Sequence, residues 1–96
     1  MRAMAKITIP VESGNQAVKD GSIGTIIQRA AEAWRPEAMY FTTFDGQRTT
    51  FIVFDLPDSS DIVPFAEPLF QELNANVQIS PVMNGEDLQN GLGKLS

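Results

Sequence analysis

The 96-residue chain contains neither cysteine nor histidine. Without cysteine there is no disulfide, no thiolate nucleophile and no zinc knuckle. Without histidine there is no Ser-His-Asp triad, no imidazole base and no His-ligated metal or haem. Any catalysis falls to carboxylates, lysine, tyrosine, arginine or a bound cofactor, and no cofactor is expected. Basic residues are also scarce: seven Lys and Arg stand against twelve Asp and Glu, a net charge of −5. They are scattered from Arg2 to Lys94 with no stripe among them. Nucleic acid and anionic membranes need clustered cations, so neither is an expected partner. Long apolar runs are missing as well, since none approaches the ~20 residues that span a bilayer. Met1–Lys6 holds no apolar segment of the kind a secretory signal carries. The expected location is the cytoplasm.

What is present suits one small domain over residues 1–96. A hydrophobic content of 43% is ordinary for a globular chain and too high for a disordered one. A chain of this length buries only roughly 60–65% of its unfolded surface, so its stability margin is thin.

Ala5–Ile9 alternates apolar and polar residues, the period of a half-buried strand, and Pro10 ends it. Val11–Asn15 reads as a loop. Ile23, Ile26, Ile27, Ala30 and Trp34 then fall at helical spacing, with Ser22 as a cap. Alternatively this helix begins near Asn15 and bends at Gly21. Pro36 stops it, because the residue before a proline is pushed out of the α region. Ala38–Phe44 and Thr50–Asp55 are rich in β-branched and aromatic residues, and Asp45-Gly46 between them signals a hairpin. A second helix, capped by Asp58 or Ser59, presents Ile62, Phe65, Ala66, Leu69 and Leu73 on one face. Asn74-Ala75-Asn76 breaks it before a last strand, Val77–Ser80. The tail 83–96 holds a short helix with Leu88, Leu92 and Leu95 on one side.

The order is β-α-β-β-α-β with a short C-terminal helix, the ferredoxin-like motif. Right-handed crossovers set a four-stranded antiparallel sheet of order 4-1-3-2, with two helices on one face, in the α+β class. The opposite face is then bare. The hairpin strands are apolar on both sides: Met39 and Phe41 oppose Tyr40 and Phe44, and Phe51 and Val53 oppose Ile52 and Phe54. An exposed patch of that size is more than a soluble monomer usually tolerates. A homodimer through the sheet face hides it, at roughly 1.5–3 kcal/mol per buried large side chain. The plainer alternative is that the tail helix folds back over its own sheet.

Four strings sharpen this reading: Ser13-Gly14-Asn15, Pro36-Glu37-Ala38-Met39-Tyr40-Phe41, Asp45-Gly46-Gln47-Arg48-Thr49 and Glu67-Pro68-Leu69-Phe70. With them the chain resembles small bacterial proteins of the dimeric α/β-barrel group, which carry no assigned reaction. The resemblance implies a dimeric α/β barrel. Better-known branches of that group include muconolactone isomerases, cofactor-independent quinone-forming monooxygenases and haem-degrading enzymes. The haem branch relies on a histidine absent here.

Candidate reactive groups are Lys6, Asp55, Tyr40 and Glu67. Strand 1 runs antiparallel to strand 3, so Lys6 and Asp55 can meet at the barrel rim, where a desolvated lysine beside a carboxylate suits acid–base or Schiff-base chemistry. The plainer reading is a structural ion pair, or two charges that never meet. Tyr40 and Thr42 share a face and offer hydroxyls to a ligand, or serve at an interface. Thr8 lies on the polar face of the first strand as a further ligand-binding candidate. Trp34 is a core cap or a stacking platform, and Arg48 an anion contact or a solvated turn arginine. Ser13-Gly14-Asn15, ahead of a helix, can present free N–H groups to an anion. Pro68 must kink the second helix, opening a pocket with Glu67 near its mouth or following the sheet's twist. Asp58 with Asp61, and Glu86 with Asp87, sit in first helical turns, where acidic residues favour the macrodipole. They lack calcium-loop spacing, and no metal is expected.

The leading expectation is a homodimeric small-molecule-binding or accessory protein. A cofactor-independent enzyme, monooxygenase- or isomerase-like, acting on a small aromatic or lactone-like substrate is one alternative. A structural or regulatory protein-interaction subunit is the other.

Overall fold

Strand-forming alternation at the start of the chain places Ala3, Ala5, Ile7 and Ile9 on one side of β1 (Arg2–Ile9), all of them buried. β1 is central. It pairs antiparallel with β3 (Gln47–Asp55) on one flank and β4 (Asn76–Pro81) on the other, and β3 pairs with β2 (Ala38–Phe44). The sheet order β2-β3-β1-β4 is the expected 4-1-3-2 counted from the opposite edge. The computed structural model describes residues 1–95. It is α+β, with one four-stranded antiparallel sheet and four helices, compatible with a ferredoxin-like fold.

The hairpin turn contracts to two residues, Asp45 and Gly46, at φ of 54° and 74°. Positive φ at both centres matches the twist of the flanking strands, which is why Asp-Gly serves there.

The first crossover differs from expectation. Val11–Asn15 is helical, not a loop: α1 (Val11–Lys19) starts directly after Pro10, and α2 (Ser22–Trp34) follows a break at Gly21, φ 79°. Ser22 is no cap either. It is the first residue of α2, and its N–H donates to the Asp20 carboxylate at 2.8 Å. Ser, Gly and Asn are poor helix formers, so local propensity favours a loop at residues 13–15. Tertiary contacts override it. The Ser13 hydroxyl donates to the Leu73 carbonyl at 2.7 Å, joining α1 to the end of the third helix.

That helix, α3 (Ile62–Leu73), is preceded by a 3₁₀ turn at Ser59–Asp61 capped by Asp58. The Asp58 carboxylate accepts the Ser60 N–H, and the Asp61 carboxylate accepts the Asp58 N–H, a reciprocal box. Phe65, Ala66, Leu69 and Leu73 are buried, while Ile62 is exposed. Asn74 closes α3 in the left-handed conformation, φ 52°.

The buried side chains of α1, α2 and α3 join one core with the inward residues of β1 and β3. At its centre Phe54 stacks on Phe65 at 4.4 Å, and Trp34 meets both edge-on at 5.7 and 5.4 Å. Trp34 is thus the core cap at the end of α2.

α4 (Gly85–Leu92), followed by a 3₁₀ turn at Gly93–Leu95, buries no side chain. Arg2 ties it to the sheet through Asp87 at 3.1 Å, with Glu37 on the same guanidinium at 2.6 Å. Leu88, Leu92 and Leu95 remain exposed, so the described tail does not roof the sheet. Ser96, the end of the expected tail segment, lies outside the described residues.

Hydrogen bonds from the Ser60 hydroxyl, and then from its backbone N–H, hold the Asp58 carboxyl below its ordinary range. A depressed folded-state value contributes stability above the unfolded carboxyl's pKa, and that stability is lost as pH falls through the folded value. Asp58→Ala is therefore expected to lower the thermal midpoint at neutral pH. The gap from wild type should close as the pH drops below about 3.9, the ordinary aspartate value. Calorimetry across that range checks it, and a gap independent of pH would count against the cap.

Candidate functional site

α2 offers four apolar side chains to the sheet at helical spacing, yet only Ile26 is buried. Ile23, Ile27 and Ala30 are half-buried and border a cavity of about 180 Å³, with Ile23 also packed against the core. Its floor is Ile7, Ile9, Thr50 and Ile52 on the sheet, with Leu69 and Leu73 behind. Met39 and Phe41 of β2 border it on the side of the sheet's edge strand, where Phe41 is 55% exposed. The lining is apolar except for Thr42, Thr49, Thr50 and Arg48, and no carboxylate lines it.

An apolar cavity of roughly 150 Å³ accepts benzene. Here the apolar space is partly open to solvent on the side of the edge strand, where Phe41 and Thr42 are exposed.

Arg48 stands at the hairpin end of the cavity. One guanidinium nitrogen, Nη2, donates to the Asn15 side-chain oxygen at 3.1 Å, and Nη1 reaches the Val11 carbonyl at 3.5 Å. Gly14 makes the approach possible: a β-carbon there would lie 2.6 Å from Arg48 Nη1 and 3.2 Å from Ile9 Cγ2. Ser13-Gly14-Asn15 therefore has a different task from the one its composition indicates. It lies inside α1, where the Gly14 N–H donates to the Pro10 carbonyl at 2.9 Å, and it seats Arg48 through a small residue and an amide acceptor. Among the described residues Arg48 forms no ion pair.

The other candidates are dispersed. Lys6 pairs with Phe51 and Asp55 with Arg2, four positions further along β3, about 13 Å at a strand's rise. The proposed Lys6–Asp55 pair is thus corrected by the register. Lys6 Nζ instead lies 3.9 Å from the Phe44 ring centroid, a cation–π contact. Asp55 accepts from the Met1 amino group at 2.9 Å. Tyr40 is 69% exposed on the sheet's free face and does not line the cavity, whereas Thr42 borders it. Thr8 is half-buried on the free face beside Thr49. Phe44 starts opposite Gln47 and ends against Phe51 and Lys6, so it crosses Thr49, which is 2% exposed.

Glu67 is exposed and accepts from Gln71 at 3.2 Å. Pro64 and Pro68 do border a hollow, of about 190 Å³, but it lies between α2 and α3 and Glu67 is not part of its lining. The Arg29–Glu72 ion pair, 3.3 Å, stands at that groove. Among the described residues no three acidic side chains gather as metal ligands, and no helix is long and apolar enough to cross a membrane.

The sequence does not mark the cavity's isoleucines as site residues, and it marks Gly14 and Asn15 for their backbone N–H groups, not as the seat of Arg48. Ile23 and Ile27 carry a helical period, but the period is identical whether a face packs tightly or stands off. No known family model and no curated protein matches the chain.

Gly14→Ala is expected to push the Arg48 guanidinium away from α1. Stability should change little, since a gain of up to about 1 kcal/mol in helix propensity offsets the crowding of Ile9. The Asn15 side-chain amide signals in a nitrogen–proton correlation spectrum should move. Unmoved signals would mean that Arg48 is not seated there.

Proposed function

We propose that this chain is a small-molecule-binding protein of the dimeric α/β-barrel group, with its site in the cavity between the sheet and α2. The observation that carries this reading is the partly open apolar cleft of about 180 Å³ between the sheet and α2, lined by isoleucines and a single charged side chain, Arg48. Its size falls below the ~300 Å³ lower bound of drug-sized pockets, so the ligand is small. The catalytic alternative has less to rest on. Lys6, Tyr40, Asp55 and Glu67 stand apart, and none of them lines the cavity.

The working unit in this proposal is a homodimer. The sheet's free face carries Tyr40 and Phe44, 69% and 45% exposed, beside Phe51, Val53 and Met4. The described tail leaves that face open and adds an exposed leucine stripe of its own at Leu88, Leu92 and Leu95. Two copies meeting across a two-fold axis satisfy the same apolar surface on both sides. The tail stripe is also the feature that favours the interaction-subunit reading.

Two measurements test the proposal. Titrating benzene into the protein should shift the methyl resonances of Ile23, Ile26 and Ile27, and Ala30→Phe should abolish the shifts without lowering the thermal midpoint. Benzene without effect on the wild type removes the cavity as a site. Sedimentation equilibrium at micromolar concentration should give a dimer, and Tyr40→Glu a folded monomer. A monomeric wild type overturns the assembly.

A further inference from the structure

We infer that the cavity takes a small apolar carboxylic acid, with its hydrocarbon body among the α2 isoleucines and its carboxylate on Arg48. This inference rests on the reading of the cavity as a binding site and names the ligand class.

Charge points first to an anion. The chain carries a net charge of −5, yet the one charged side chain in the cavity lining is an arginine. Arg2 and Arg29 are neutralised by Glu37, Asp87 and Glu72, and Arg35 is exposed. Arg48 alone among the arginines is half-buried against apolar surface with only neutral acceptors, the Asn15 amide and the Val11 carbonyl. These contacts use two of the five guanidinium N–H donors. The others are free to receive a carboxylate, whose planar fork matches the guanidinium.

Position points to the same end of the cavity. Arg48 and Thr50 are two residues apart on β3 and share the helix-covered face. The Thr50 hydroxyl makes no hydrogen bond within the described residues, so it is available to the second carboxylate oxygen. Gly14 admits the guanidinium against α1, where the Asn15 side-chain oxygen and the Val11 carbonyl accept from it. A donor set already hydrogen-bonded costs a ligand less ordering than a free side chain does.

Size and lining define the rest of the ligand. A volume of about 180 Å³ holds on the order of seven to ten non-hydrogen atoms, by comparison with benzene in roughly 150 Å³. Ile7, Ile9, Ile23, Ile27 and Ile52 give that body no hydrogen-bond partner. Benzoate and hexanoate both satisfy these limits. An aromatic or an aliphatic body is accommodated by the same chemistry, and comparing the two probes ranks them.

The test is calorimetric titration of the full chain with benzoate, hexanoate and the neutral isostere benzamide. A carboxylate should bind about tenfold or more tightly than benzamide, the ratio expected of a charge-assisted pair. Arg48→Gln should remove that preference and leave benzamide binding within about twofold. Gly14→Ala, which displaces the guanidinium without deleting it, should weaken the carboxylates in the same direction. Equal affinity for benzoate and benzamide, or a preference that survives Arg48→Gln in a protein with unchanged circular dichroism, overturns the carboxylate assignment while the cavity stands. Failure of benzene and all three probes to bind the folded wild type removes the cavity reading itself.

Discussion

Three aromatic rings hold this structure together. Phe54 on β3, Phe65 on α3 and Trp34 at the end of α2 meet face to edge and face to face within 6 Å. Each element contributes one ring, so the cluster sets where both helices sit on the sheet. Alanines at positions 3 and 5 of the central strand, both fully buried, keep the neighbouring layer thin enough for those rings to fit. The cluster anchors α2 at one end only. Towards its start the helix passes over Ile7, Ile9 and Thr50, where no ring fills the space, and the cavity is the consequence.

The other end of that cavity depends on a second knot of contacts, built from residues with no helix-forming merit. Ser13 reaches the C-terminal carbonyl of α3, Gly14 yields to a guanidinium, and Asn15 accepts from it. Three consecutive residues thereby join α1 to α3 and to β3. The cost in helix propensity is real. In return a cation is seated beside an apolar space, where the local dielectric makes a charge pair stronger than it would be in water.

A single layer of helices cannot serve both sides of a four-stranded sheet, and here it serves one. On the free face Phe44 folds across Thr49 onto Phe51, with Lys6 above the ring. This shields part of the apolar surface within the chain. Tyr40 stays outside that cluster, and Leu88, Leu92 and Leu95 of the tail are exposed as well. The surface left over is what motivates a second subunit.

Much of this was legible in the order of residues. Alternation in β1, the Asp45-Gly46 turn, the proline after Arg35 and the Asn74 break each act within a few residues. They mark the strands, the hairpin and the third helix wherever the chain goes. Handedness of the crossovers then leaves one sheet order, and the missing cysteines and histidines rule out whole classes of chemistry. Three matters depended on residues far apart in the chain. Register separates Lys6 from Asp55, because pairing is set by the sum of contacts along both strands. Residues 13–15 are helical where local propensity favours a loop, and their tertiary partners, Leu73 and Arg48, lie more than thirty positions later. The cavity beneath Ile23 and Ile27 exists because aromatic rings elsewhere hold the helix where it is. A hydrophobic period says which side of a helix turns inward; only the folded chain decides whether anything is there to meet it.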